Sequence, residues 1–160
     1  MVIWIIGQSG SGKTFFAKKL SRILNKKKIF LVDGDEVRKY LTHDLGYTKK
    51  DRYLNSIYIQ NLCKYLENKG YFVICAIQSI FNKHQKENRK IFKNYVQIYL
   101  KTENRIIFNK NHKLSEFKKN IVGKDIKFPK PYKSNLTISN KFKDHKKILN
   151  KMYKLIINTK

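Results

Sequence analysis

Residues 5–16 read IIGQSGSGKTFF. An apolar run enters a glycine, and the segment closes on Gly12-Lys13-Thr14 before a helical pattern begins. Gly7 to Thr14 satisfies G-x-x-x-x-G-K-[ST], with a strand-like run before it and a helix-like run after it, which is the context this motif needs. The residue types have a physical logic. Gly7, Gly10 and Gly12 let backbone N–H groups turn inward as a nest for phosphate oxygens, with Ser9 and Ser11 between them. The helix that starts near Lys13 aims its positive end at the same anion. Lys13 reaches the β- and γ-phosphates, and the Thr14 hydroxyl is the expected Mg²⁺ ligand. The loop is therefore read as an ATP site.

Working outward, apolar runs occur at 2–6 (VIWII), 28–32 (KIFLV), 71–77 (YFVICAI), 96–100 (VQIYL) and 135–139 (NLTIS). They are mostly apolar and not alternating, as strands buried on both faces of a parallel sheet should be. Helical patterns lie between them, at 13–25, about 35–42, 51–69, 83–93, 103–120 with a break, and 141–156. Strands alternating with helices predict an α/β fold: a P-loop NTPase-type three-layer sandwich, with a mostly parallel five-stranded sheet and helices on both faces. One domain over 1–160 is expected. In the helix over 51–69, Leu54, Tyr58, Leu62, Tyr65 and Leu66 are expected to form the buried stripe, with Gly70 at the C-terminal cap. The stretch 124–135 holds both prolines and reads as an ordered loop.

The second informative stretch is VDGDEVR (32–38). It puts two carboxylates at a strand's C-terminal end, where ligands bind in such sheets. Asp33 and Asp35 can each hold Mg²⁺ or take a proton from an attacking hydroxyl; each can also simply cap the helix that follows. After a P-loop strand the catalytic reading is taken for both, with Asp33 also the candidate metal ligand. No GTPase base-recognition signature accompanies the loop, which directs the reading to a small-molecule kinase.

Composition bounds the rest. The formal net charge is +25, which would suit nucleic acid or a polynucleotide kinase. The lysines are scattered over every segment, however, and Lys, Asn, Ile, Phe and Tyr are all abundant, as AT-rich coding produces, so nucleic acid is not the expected partner. The apolar runs are far shorter than the ~20 residues of a membrane helix. No secretory leader precedes the loop, and Cys63 and Cys75 form no C-x-x-C pair, so a cytoplasmic protein with reduced core cysteines is expected. His43, His84, His112 and His145 show no metal-ligand spacing with the cysteines and are taken as solvent-facing or polar-network residues.

The loop, DGDEVR and then LTHDLGYTKKDRYLN (41–55) together resemble the adenylylsulfate (APS) kinase family, which shows a GLSGAGKT-like loop, DGDNVR and a DLGFSxxDRxxN segment. Fainter echoes follow at IQSIF (77–81), where the family has ISPFR, and around Gly123-Lys124-Asp125, Phe128 and Leu136-Thr137-Ile138. The resemblance implies ATP- and Mg²⁺-dependent phosphorylation of a nucleotide ribose 3′-hydroxyl. By position, it makes Asp35 the general base or hydroxyl-orienting group. Arg38 and Arg52 would clamp the acceptor's phosphate-containing group, and Asn55 would hydrogen-bond the acceptor. Tyr47, Ile77, Gln78, Ser79, Phe81, Ile121 and Lys124 would complete the acceptor site. The physics of the residue types agrees: arginine forks suit phosphate oxygens, and Arg52 and Asn55 share a helix face. A homodimer is implied by the same resemblance.

The departures cluster in one place. Tyr47 stands for a Phe, Ile121 for a second base-stacking Phe, Ile80 for a Pro, and Asn82 for an Arg. Ile57 and Tyr58 replace an Arg pair, and the lid region that the resemblance implies, at about 103–123, is shorter than the family's; its lysines Lys110, Lys113, Lys118 and Lys119 read as solvated. One aromatic and one aliphatic wall hold a base less well than two aromatic ones, which leaves room for a pyrimidine. The expected acceptor is accordingly cytidine diphosphoramidate, the substrate of a branch of this family serving capsule phosphoramidate synthesis, with APS as the alternative.

Overall fold

A computed structural model describes residues 1–25, 28–102, 119–140 and 143–159. The element order is β1 (Val2–Ile6), α1 (Lys13–Leu24), β2 (Ile29–Asp33), α2 (Gly34–Tyr40), α3 (Lys49–Asn68), β3 (Phe72–Ile77), α4 (Asn82–Ile91), β4 (Tyr95–Thr102), β5 (Leu136–Asn140) and α5 (His145–Ile157). The five strands form one sheet in the order β2-β3-β1-β4-β5, and every pairing is parallel. The apolar runs thus become parallel strands, displaced by a residue or so at most ends; β4 runs two residues further, to Thr102.

Both faces of β1 are buried, which is why VIWII does not alternate. Ile3 and Ile5 face a core shared with Phe16 and Leu20 of α1 and Ile148 and Met152 of α5. Val2, Trp4 and Ile6 face the other core, with Val37 of α2 and Ile59, Cys63 and Leu66 of α3. Two helical layers therefore sandwich the sheet. Each fully buried side chain of this size contributes roughly 1.5–3 kcal/mol. Cys63 and Cys75 are both free thiols in this core, and burial together with the neighbouring Cys63 pushes the Cys75 thiol well above its ordinary value.

The long helix α3 corrects the expected stripe. Tyr58 and Tyr65 are exposed, Leu54 and Leu62 are half-buried, and of the five only Leu66 is buried. The buried face carries Asn55, Ser56, Ile59, Gln60, Cys63, Leu66 and Glu67 instead. Its polar members are paired: Gln60 donates to Asn88 Oδ1 at 2.7 Å, and Ser56 Oγ lies 2.8 Å from His84 Nδ1. The helix begins at Lys49, two residues before the expected start, because Thr48 and Asp51 form a capping box, an arrangement worth about 1 kcal/mol. It ends as expected at Gly70, where the Gly70 N–H bonds Glu67 O and the Tyr71 N–H bonds Leu66 O, a Schellman closure.

The last helix begins at His145, four residues later than the pattern suggested. The helix expected over 103–120, with Lys110, His112, Lys113 and Lys118, lies outside the described residues except for Lys119 and Asn120, which are not helical. No helix among the described residues is long and apolar enough to cross a membrane.

Candidate active site

The carboxyl ends of β1, β2 and β3 open onto one cleft of about 1070 Å³. On one side lies the 7–14 loop. Ser9, Gly10, Gly12, Lys13 and Thr14 line the cleft, whereas Gly7 and Ser11 sit behind it. Gly7 is required there by packing: a Cβ would lie 2.5 Å from the Leu100 carbonyl oxygen. Gly12 has φ +88°, in the left-handed region that glycine enters freely, and precedes α1 with no side-chain cap on the helix N-terminus. The first N–H groups of α1 are thus left for an anion in the cleft.

Asn140, at the end of β5, donates from Nδ2 to the Ser11 carbonyl at 3.0 Å and fixes the loop's outer side. Sequence reasoning did not find this residue, because its partner lies 129 positions away.

Lys13 is half-buried and donates from Nζ to the Gln8 carbonyl at 2.8 Å. Burial pulls its ammonium down to about 8, while Asp35 and Asp33 oppose the shift. Thr14 Oγ1 donates to Asp33 Oδ2 at 2.5 Å, and Asp33 Oδ1 accepts the Asp35 N–H at 2.9 Å. Asp33 therefore is the N-cap of α2 and the partner of Thr14 at once. These are hard oxygen donors at the mouth of a phosphate-binding loop, the set that suits Mg²⁺ shared with substrate phosphates. No cluster of three or more His, Cys, Asp or Glu exists among the described residues, so a dedicated protein cage for a metal is not found there.

The other side of the cleft is cationic. Arg38 of α2 is buried, and its Nη1 donates to the Leu45 and Gly46 carbonyls at 3.2 and 2.5 Å. Its Nε and Nη2 have no protein partner among the described residues. Arg52 is more committed: Nε donates to Tyr47 O, Nη1 to Gln78 Oε1 and Nη2 to Asn120 O, each at 3.0 Å. It ties the 42–48 loop, the segment after β3 and the 119–122 segment together, and keeps two of five N–H donors spare.

Tyr47 lies against both guanidiniums, with centroid distances of 4.7 Å to Arg38 and 5.3 Å to Arg52. The ring, expected to be the aromatic wall for a base, lines the cleft and carries both guanidiniums. Burial lowers both arginines from their ordinary values, and Arg38 lowers Arg52 further. The ion pairs among the described residues are Met1–Glu67, Lys64–Glu67 and Lys83–Glu87, so neither arginine has a carboxylate within ion-pair distance among them. Asp35 stands between the two sides: its charge supports Lys13, Arg38 and Arg52 alike.

The remaining expected positions divide. Asn55, Ile77, Gln78, Ser79, Phe81 and Ile121 line the cleft. Asn55 Oδ1 accepts from Thr42 Oγ1 at 2.6 Å, which leaves its amide N–H groups for a ligand. Lys124 is not brought in; it is exposed on the turn closed by Gly123 N–H to Ile126 O. Phe128, which the family resemblance places near substrate, stacks on Tyr99, 6.0 Å between centroids, outside the cleft.

Among the lining residues not foreseen are Lys119, His43 and Ser56. Lys119 and His43, both taken as solvated, are exposed and reach the rim. Ser56 lines the floor beside Asn55 and rests on the buried His84, whose imidazole burial drives below its ordinary value. The adjacency of Ser56 to Asn55 was the available signal, and a serine on a helix carries too little pattern to be singled out.

A family model described as adenylylsulphate kinase matches residues 1–139. The cytidine diphosphoramidate kinase of Campylobacter jejuni is 33% identical over 147 residues, spanning 87% of this chain and 85% of that one. The adenylyl-sulfate kinase of Halothermothrix orenii is 33% identical over 102 residues, 62% of this chain and 55% of its own length. Among solved structures, the Mycobacterium tuberculosis APS kinase in complex with AMPPNP and APS superposes with a TM-score of 0.86 at 22% identity, covering 98% and 97% of the two chains. Shikimate kinase from Aquifex aeolicus gives 0.56 at 20% identity, with 99% of each chain covered. At these identities the structural likeness is one of fold.

Proposed function

From the premise that this chain belongs to the adenylylsulphate kinase family, we propose that it phosphorylates the ribose 3′-hydroxyl of a nucleotide bearing a substituted phosphate, with cytidine diphosphoramidate preferred and APS the alternative. The observation that carries the proposal is the pair Arg38, buried, and Arg52, half-buried, neither with a carboxylate partner among the described residues, across the cleft from Lys13. Two anion sites face each other over one carboxylate, Asp35. That is the arrangement for moving a phosphoryl group between two phosphate-bearing molecules.

The residues divide the work. The 9–14 backbone and Lys13 hold the triphosphate of ATP. Thr14 and Asp33 would hold Mg²⁺, which when bound neutralises charge on the phosphates. Asp35 orients the acceptor hydroxyl and takes its proton. Arg38 Nε and Nη2 and the spare donors of Arg52 grip the acceptor's phosphate groups, and Asn55 donates to the acceptor. Phosphoryl transfer asks for positioning and charge neutralisation more than covalent chemistry, and this set supplies both.

The preference for a cytidine acceptor is supported by the long match to the Campylobacter jejuni kinase and by Ile121, an aliphatic side chain on the cleft wall. The test is ADP release from ATP and Mg²⁺ with matched acceptors: cytidine diphosphoramidate, APS, and plain CMP and AMP. The expected result is fastest turnover with cytidine diphosphoramidate, which would place the enzyme in capsule phosphoramidate synthesis. Faster turnover with APS would reject the cytidine preference and make the product PAPS.

A further inference from the structure

We infer that Gln85, in the first turn of α4 and wholly buried, is a positioning residue for the acceptor wall; the inference rests on the reading of residues 77–81 as that wall. The wall bends through Ser79, whose φ of +52° lies in the left-handed region. A residue with a Cβ stays there only when its surroundings hold it. Two buried side chains do. Trp4 Nε1–H donates to Ser79 Oγ at 3.2 Å, and Gln85 Nε2–H donates to the Ser79 carbonyl at 2.7 Å.

The other end of the same amide faces away from the cleft. Gln85 Oε1 accepts the Tyr132 N–H at 2.7 Å and Gln97 Nε2–H at 3.3 Å. One amide thus spans the cleft wall and the loop leading into β5, and Asn82 reinforces the link by donating to the Lys130 carbonyl at 3.2 Å. Only one orientation of the amide works, donor toward Ser79 and acceptor toward Tyr132, because the flipped amide sets donor against donor. An apolar side chain would leave both backbone groups buried and unpaired. Ser79 is followed by Ile80 and Phe81 on the wall and preceded by Gln78, which accepts from Arg52. Releasing the Ser79 carbonyl therefore loosens the arginine side of the cleft and leaves the 7–14 loop in place.

The experiment is steady-state kinetics of the full chain and of Gln85→Met and Gln85→Glu, with KM measured separately for acceptor and ATP, alongside Tm. Gln85→Met is expected to raise the acceptor KM about tenfold, the loss of roughly one buried hydrogen bond, with the ATP KM unchanged. Gln85→Glu is expected to regain acceptor affinity as pH falls, because a protonated carboxyl can donate to Ser79 while still accepting from Tyr132. A purely structural role would move both KM values together and would show no such pH profile. An unchanged acceptor KM in folded Gln85→Met overturns the inference while leaving the functional reading intact. So does a pH-independent acceptor KM in Gln85→Glu, which decides the matter if Gln85→Met does not fold. Absence of any acceptor turnover by the unmodified chain overturns both.

Discussion

Lys13→Met lowers kcat/KM by about 10³-fold, the scale expected when a preorganised cation is removed from developing phosphate charge. The substitution keeps the aliphatic stem, so the loop's packing is retained while the ammonium is lost. Burial pulls that ammonium down to about 8, while Asp35 and Asp33 oppose the shift. The sign of its pH dependence follows. Below about pH 8 Lys13 is a cation and ATP binds to it; above, the free chain must first take up a proton. ATP affinity is therefore expected to fall as pH rises through about 8 in the unmodified protein, and to lose that step in Lys13→Met. Titration with a fluorescent ATP analogue reads both. A step of equal size in the two proteins would contradict the assignment.

The second large effect is expected at Asp35. Asp35→Asn lowers kcat by about 10²–10⁴-fold, the range for loss of a positioned general base, even at saturating ATP. Removing this charge also lets the Lys13 ammonium fall further, so the comparison is made well below pH 8 and at saturating ATP, where the remaining loss is that of the proposed proton acceptor. Asp33→Asn is the control. Asparagine caps helices as well as aspartate does, so α2 is preserved while the charge beside Thr14 is lost. Its kcat is expected to be restored in large part by raising Mg²⁺, whereas no Mg²⁺ concentration restores Asp35→Asn. Single-turnover kinetics at varied Mg²⁺ separate the two. Activity of Asp35→Asn close to that of the unmodified chain would remove it from the mechanism.

Much of this architecture is written locally. VIWII is buried on both faces, so its lack of alternation announces a central parallel strand. The GQSGSGKT loop and the DGD turn are contiguous, and each brings its functional groups to the cleft through backbone geometry spanning a few residues. What failed did so for a physical reason. In α3, tyrosines were counted as apolar, yet Tyr58 and Tyr65 face solvent, while Asn55, Ser56 and Gln60 go inside. Those polar groups are buried only because Thr42, His84 and Asn88 satisfy them, and no periodicity in one helix reports partners on another.

The same holds for Asn140 and Gln85. Each acts on a backbone carbonyl, at Ser11 or Ser79, and neither has a local pattern to mark it. Lys124 and Phe128 erred in the opposite way. The family resemblance placed them near the acceptor, but the turn at 121–126 carries Lys124 outward and Phe128 stacks on Tyr99.

The central claim is that Asp35 directs the γ-phosphoryl group of ATP to a ribose 3′-hydroxyl. The measurement that tests it most directly is ³¹P NMR of the product formed from ATP and the acceptor that turns over fastest. The account predicts one new phosphomonoester signal coupled to the proton on the ribose 3′ carbon, appearing at the rate of ADP formation and absent with Asp35→Asn. A new phosphate attached at the 5′ phosphate end, or ADP formation that proceeds equally well without any acceptor, would contradict it.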